Sequence, residues 1–205
     1  MNMQRRIAYM AEGRNKALIP ADADILPVTD DGVFKSLFSK ETPESKAALT
    51  DLISAIIGRR VKDVTVVTSE PPKDNQQQKA IRMDVSCVAV DNGEQFDLEM
   101  QMEPMKEDRQ QKGEYRNLKN RKVYYGSRLF SGQNAKGNRY DQLVRSYQIT
   151  FCDFVVYAKD KRYIRNFLPR DEEGEILSDI LSFVLIELPK MRELMAKPVS
   201  ELKEI

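Results

Sequence analysis

The sequence contains no histidine. This absence excludes serine–histidine catalytic triads, zinc sites with histidine ligands, and histidine general bases. Any chemistry in this chain must therefore use carboxylates or the side chains of lysine, tyrosine, serine or cysteine.

Cysteine is nearly absent too, with Cys87 and Cys152 the two present. Both lie in apolar runs, and no C-x-x-C pair offers a metal or redox centre. We therefore expect both thiols to be small buried hydrophobic groups.

Long apolar runs are missing as well. No segment approaches the roughly 18 apolar residues of a membrane span, and the basic N-terminal residues are not followed by the apolar stretch of a secretory signal. These features predict a cytoplasmic protein with no membrane partner. Because the net charge is only +1, any affinity for nucleic acid must come from a local patch.

The length of 205 residues suits one domain with a proper core. We expect an N-terminal arm over residues 1–28, one folded domain over 29–190 and a C-terminal helical tail over 191–205. The predicted order is helix, helix, strand, hairpin, long helix and further strands. This order indicates an α/β or α+β domain, with a mixed central sheet flanked by helices.

Capping residues and apolar patterns predict where the helices and strands lie. Asp31–Phe38 has a short helical pattern, and a second helix should begin at Thr42-Pro43 and end near Gly58. Charged residues from Met105 to Phe130 predict a long helix, with a break near Gly113 as an alternative. The other predicted strands are Val61–Thr68, Ile149–Tyr157, Lys161–Leu168 and Ile180–Leu188.

A β-hairpin is the most informative segment. Ile81–Val90 and Gln95–Met102 both alternate, and Asp91-Asn92-Gly93 between them is a strong turn signal. If Asn92-Gly93 is a two-residue turn, Asp84 lies opposite Gln101, with Asp84 and Glu99 as diagonal neighbours on one face. A four-residue loop would give the same register, and a three-residue loop would need a bulge to restore it. The other face is uniformly apolar and should meet the core.

Two carboxylates on one partly covered face repel each other unless a cation neutralises them. Mg²⁺ commonly binds one or two carboxylates with water and substrate phosphate, so Asp84 and Glu99 are candidate metal ligands. Relief of this repulsion predicts that removing either acid raises stability in metal-free buffer. The alternative is an ordinary solvated strand face, which is common in antiparallel sheets.

These residues carry a family resemblance. Asp84, followed by Asp97-Leu-Glu-Met-Gln101, resembles the D…ExQ form of the PD-(D/E)XK nuclease signature. Asp31–Phe38 resembles the D-x-x-F-K-x-x-F motif of the recombination-promoting nuclease and transposase family. Arg121–Tyr125, Gly137–Tyr140 and Ile186–Lys190 resemble its later elements, so the resemblance spans roughly residues 30 to 190.

The resemblance implies a restriction-endonuclease-like fold and a DNA endonuclease that uses Mg²⁺, with Mn²⁺ as a substitute. Asp84, Glu99 and the Met100 carbonyl would hold the metal, and Gln101 would orient a water molecule. Asp31 is a candidate third acid or, equally, the N-cap of its helix. Met83 stands where the classical motif has proline, and Gln101 where it has lysine, so activation would depend more on the metal.

A basic stripe is predicted on the long helix. Arg109, Lys112, Arg116 and Lys119 recur at helical spacing, with Arg121 close by. Such a stripe suits contacts with a DNA backbone, although a solvated helix face is equally compatible. The alternatives for function are a DNA-binding module that does not cleave and a protein-interaction module. The sequence leaves a homodimer open.

Overall fold

The computed structural model describes residues 28–67, 83–110, 114–133 and 139–197. Most of the predicted N-terminal arm, and the end of the predicted tail, lie outside these ranges. The helices are α1 (Asp31–Phe38), α2 (Pro43–Ile57), α3 (Lys106–Gln110), α4 (Arg116–Ser131) and α5 (Leu188–Met195), with a 3-10 turn at Tyr140–Gln142. The strands are β1 (Val64–Val67), β2 (Val85–Ala89), β3 (Gln95–Gln101), β4 (Ser146–Cys152), β5 (Ile164–Phe167) and β6 (Leu181–Glu187).

The six strands form one mixed sheet in the order β1-β2-β3-β4-β6-β5. Strands β3, β4 and β6 run parallel, and the other neighbouring pairs are antiparallel. The prediction of a mixed α+β sheet is thereby confirmed. The carboxyl ends of the parallel strands meet along one edge of the sheet, which we call the carboxyl edge.

Helices cover both faces of this sheet. On one face, Phe34 of α1 and Leu49 and Ile53 of α2 pack with Phe96, Leu98 and other apolar residues of the strands. On the other face, α4 lies across β3, β4 and β6, and its Leu118 packs against Cys152 and Leu185. The charged side chains of β3 therefore point towards α4.

The predicted signals for the helix ends are confirmed at α2. The Thr42 side chain accepts a hydrogen bond from Ser45 N, Pro43 occupies the first turn, and Gly58 has a left-handed φ of 73°. At α1 the capping prediction was wrong by one residue, because the side chain of Asp30 accepts from Gly32 N and Val33 N. Asp31 is instead the first residue of the helix.

The hairpin register also differs from the prediction. Cys87 pairs with Phe96 and Val85 with Leu98, so the connection is the four-residue loop 90–93 rather than a two-residue turn. The backbone N–H of Ala89 donates to the Glu94 carbonyl at 2.8 Å, which closes this loop. The register shifts by two positions, so every side chain keeps its predicted face.

The region predicted as one long helix contains two helices, in agreement with the alternative of a break near Gly113. Helix α3 ends at Gln110 and α4 begins at Arg116, after Tyr115 with a φ of 46°. Because Tyr115 is not helical, Arg109 does not lie on a continuation of the α4 face. The prediction of a single basic stripe along one helix was therefore wrong. In the predicted strand Ile149–Tyr157, pairing begins earlier and ends at Cys152.

Candidate functional site

Asp84 and Glu99 come together at the carboxyl edge. The β2–β3 ladder pairs Val85 with Leu98, so Asp84 and Glu99 are the next residues of the two segments beyond that pair. The Oδ2 atom of Asp84 accepts a hydrogen bond from Met100 N at 2.9 Å. This bond fixes Asp84 beside the residue that follows Glu99.

Glu99 is completely buried yet carries an ionisable carboxyl group. Its Oε2 atom accepts hydrogen bonds from Lys122 Nζ at 3.0 Å and Arg121 Nη2 at 3.1 Å. Its Oε1 atom has no hydrogen-bond partner among the described residues. Burial raises the pKa of Glu99, whereas the nearby Lys122 ammonium opposes this increase. The carboxylate therefore has one neutralised oxygen and one oxygen with unused acceptor capacity.

Asp84 also has a cationic partner. Lys35 of α1 places Nζ 3.1 Å from Asp84 Oδ1, and this contact retains some solvent exposure on the Lys35 side. A shallow cavity lined by Lys35, Ser39, Val67 and Asp84 opens beside the pair. Asp84 can thus be approached from solvent, whereas Glu99 lies beneath α4.

Gln101 completes the group on β3. Its Nε2 atom donates to the Met100 carbonyl at 2.8 Å, and its Oε1 atom accepts from Arg121 Nη1 at 3.4 Å. The amide therefore contacts the carbonyl that was predicted to bind metal. Asp84, Glu99, Met100 and Gln101 lie together as predicted, while their roles remain predictions.

Asp97 is a buried acid that the sequence interpretation did not assign. It is 0% exposed, its Oδ2 atom accepts from Gln148 Nε2 at 3.4 Å, and its Oδ1 atom has no partner among the described residues. Burial raises the pKa of Asp97 well above its ordinary value, and the charge of Glu99 adds to this effect. Its position two residues before Glu99 on the same face was the available signal.

Helix α4 brings its cations to β3 because Gly126 allows a close approach. A Cβ atom at this position would lie 2.5 Å from Phe183 Cε1 and 3.2 Å from Gln148 Cβ. Lys122, one helical turn earlier, is only 7% exposed at its side chain. Lys35 and Lys122 both lie in segments that resemble family motifs, but neither was assigned a role, because a contact between distant segments leaves no local spacing pattern.

The predicted DNA-contacting residues separate into two groups. Arg109 forms an ion pair with Glu103 and donates Nε to the Pro104 carbonyl. Arg116 and Lys119 lie on α4 with Arg121, which points to Glu99 and Gln101. Lys112 and the side chain of Asp31 lie outside the described residues.

The late E-L-x-K element has a structural explanation. Glu187 is fully buried, pairs with Lys190 Nζ at 2.8 Å, and accepts the backbone N–H groups of Val156 and Tyr157. Lys190 also donates to the Tyr157 carbonyl at 2.7 Å. This ion pair fixes the segment after β4, at the carboxyl edge.

The donor set fits a hard divalent cation. Carboxylate and carbonyl oxygens are the ligands that Mg²⁺ prefers. The Glu99 Oε1 atom, which has no hydrogen-bond partner among the described residues, could bind such a cation. Within the described ranges, no group of three or more histidine, cysteine, aspartate and glutamate residues is arranged to hold a metal. A metal here would bind Asp84, Glu99 and the Met100 carbonyl, with water completing its coordination.

Together, the fold and the site define a class. The acids Asp84 and Glu99, which we call the paired acids, lie on a hairpin of a mixed sheet that has helices on both faces. This arrangement is a PD-(D/E)XK restriction-endonuclease-like fold. Residues 28–204 match the family model described as PD-(D/E)XK nuclease family transposase, and the chain belongs to that family. No curated protein and no solved structure matches the chain. No helix in the described part of the chain is long and apolar enough to cross a membrane.

Proposed function

We propose that the protein is a metal-dependent endonuclease that hydrolyses DNA phosphodiester bonds. The observation that carries this proposal is the position of Asp84 beside the end of β3, where its Oδ2 atom accepts from Met100 N, with the Glu99 Oε1 atom buried and unpartnered among the described residues. A buried polar atom without a partner is costly. Metal binding would compensate that cost.

Each residue has a distinct part in this mechanism. Asp84 and Glu99 supply the anionic oxygens, and Met100 supplies a carbonyl oxygen. The Mg²⁺ or Mn²⁺ ion that these oxygens would hold would supply Lewis-acid activation of a phosphate and of a water molecule. Gln101 orients the attacking water molecule by hydrogen bonding, and Arg121 fixes the Gln101 amide. Asp31 remains a candidate third acid.

Arg121 and Lys122 set the charge of the site. Together they offset part of the desolvation of Glu99, which favours its ionised form although the residue is buried. Because both cations come from α4, the position of this helix determines how much negative charge is left for a metal. The two residues therefore adjust metal affinity without binding the metal themselves.

The substrate follows from the chemistry. A phosphodiester backbone supplies the anionic oxygens that Mg²⁺ binds together with protein carboxylates. The family membership favours DNA, acted on in recombination or transposition within the cytoplasm. A homodimer would place two such sites on one duplex.

The direct test is incubation with supercoiled plasmid, with and without Mg²⁺ or Mn²⁺. We expect cleavage that needs the metal and falls about 10²-fold or more in Glu99→Gln, the scale of one catalytic group. The matched control is Glu103→Gln, which neutralises an exposed acid further along the same chain segment. Equal cleavage by wild type and Glu99→Gln would refute the proposal.

One observation favours a second candidate, a DNA-binding module on the same fold that does not cleave. Both carboxylates already have cationic partners, Lys35 for Asp84 and Lys122 with Arg121 for Glu99. If these ion pairs persist, no metal binds. Calorimetric titration with Ca²⁺ separates the candidates, because the nuclease binds the ion and the module does not.

A further inference from the structure

A second group of basic residues lies at the carboxyl edge, away from the paired acids. Its members come from the segment between β4 and β5, from the start of β5 and from α4. We call this group the basic rim; it consists of Lys119, Lys159, Lys161, Arg162 and Arg165.

Tyr157 joins the two halves of the rim. Lys119 Nζ of α4 lies 5.1 Å from the centroid of the Tyr157 ring, and Arg165 Cζ of β5 lies 4.3 Å from the same centroid. The Tyr157 backbone N–H donates to the buried Glu187 carboxylate. The ring is thereby anchored to the sheet, so it gathers two cations at a fixed place.

The segment from Tyr157 to Arg165 keeps a positive charge. Its four basic residues face one acid, Asp160, which pairs with both Arg162 and Arg165. The hydrogen bonds from Arg162 lower the pKa of Asp160. Lys159, Lys161 and Arg162 are exposed to solvent, so their charge faces outward.

The rim lies on the same edge as the candidate metal site. The Asp153 N–H donates to the Gln101 carbonyl at 2.9 Å, and the Glu187 N–H donates to the Tyr163 carbonyl at 2.7 Å. The first bond holds the chain after β4 beside the end of β3, and the second holds the rim segment beside the end of β6. On α4, Lys119 lies three residues before Lys122, which contacts Glu99, and residues at this spacing share a helix face. Cations therefore continue from the paired acids to the rim.

We propose that the basic rim binds the phosphate backbone of DNA on one side of the scissile position. This inference rests on the proposed function. Gathered cations raise the local concentration of an anionic partner, and a polyanion that enters the metal site along this edge passes over the rim. Phosphate contacts carry no base identity, so the rim positions DNA without selecting a sequence.

The test compares two triple variants with equal loss of charge. The rim variant combines Lys159→Gln, Lys161→Gln and Arg162→Gln. The control variant combines Arg60→Gln, Lys62→Gln and Arg170→Gln, which are exposed residues near the opposite edge of the sheet. Circular dichroism and thermal melting check that both variants fold.

DNA affinity is measured over a series of salt concentrations, in Ca²⁺ so that the substrate stays intact. Each lost phosphate contact reduces the magnitude of the negative slope of log K against log salt by about 0.9. We therefore expect the magnitude of the slope to be smaller by roughly 2 to 3 in the rim variant than in wild type, on duplexes of unrelated sequence. The control variant should keep the wild-type slope.

Equal slopes for the rim variant and wild type would overturn the inference, and so would equal reductions in both variants. A wild type that binds no DNA would overturn it as well, and an acidic protein surface would then be the partner to seek. The proposed function fails separately, if wild type binds DNA but does not cleave it in Mg²⁺.

Discussion

Removal of the Glu99 charge should destabilise the protein, which reverses the expectation from simple repulsion between acids. Glu99 is fully buried and its Lys122 partner is 7% exposed. Glu99→Gln would therefore leave a buried ammonium group without a counter-ion. Breaking a buried ion pair by removing one partner costs about 3–5 kcal/mol.

Burial raises the pKa of Glu99, so the folded protein disfavours this charge, and that effect offsets part of the loss. The expected cost therefore lies near the lower end of this range, at about 3 kcal/mol. Arg121 is 30% exposed and can rehydrate when its partner is lost, and the amide oxygen that Glu99→Gln introduces still accepts one hydrogen bond. For a domain of this size, each kcal/mol shifts Tm by about 2–4 °C. We therefore expect Tm to fall by roughly 6–12 °C.

Urea denaturation in metal-free buffer measures the free energy of unfolding. A double-mutant cycle with Lys122→Met isolates the pair, because Glu99→Gln with Lys122→Met removes both charges. The double variant should be more stable than Glu99→Gln, with a coupling of about 2 kcal/mol. If Glu99→Gln is as stable as wild type, or more stable, repulsion between the acids dominates and our account of the ion pairs is wrong.

Three further predictions concern the residues around this pair. The pKa of Asp97 is raised by burial from an ordinary value of 3.8, so the folded protein retains a proton that the unfolded chain releases. The contribution of Asp97 to wild-type stability should therefore fall as pH rises above about 4. Asp97→Asn lacks this loss, so its free energy of unfolding relative to wild type should increase with pH in urea titrations; a pH-independent difference would contradict the shift. Gly126→Ala should cost about 1–3 kcal/mol through overpacking against Phe183, although alanine favours helix; a more stable variant by thermal melting would show that α4 is not closely packed. Gln101→Ala should lose about 10²-fold in plasmid cleavage while Gln101→Lys remains active, and full activity of Gln101→Ala would remove the residue from the mechanism.

The sequence by itself determined the local structure and the faces of the hairpin. Thr42, Pro43 and Gly58 marked the ends of α2, because capping depends on neighbouring backbone groups. Asp84, Glu99 and Gln101 were assigned to one face because strand side chains alternate, and this alternation survived a register shift of two positions. Family motifs supplied the fold class, which the mixed sheet confirmed.

The tertiary structure decided which charges meet. Lys35 and Lys122 lie 49 and 23 residues from their partners Asp84 and Glu99 along the chain, so no periodic pattern could pair them. The predicted basic stripe was lost because the helix breaks before Arg116. Tyr115 has a left-handed backbone conformation, so residues before and after it do not share one helix face. The burial of Asp97 and the collection of cations around Tyr157 likewise depend on α4 crossing the sheet. Electrostatic environment is set by distance and solvent exclusion, and both arise only when distant segments pack.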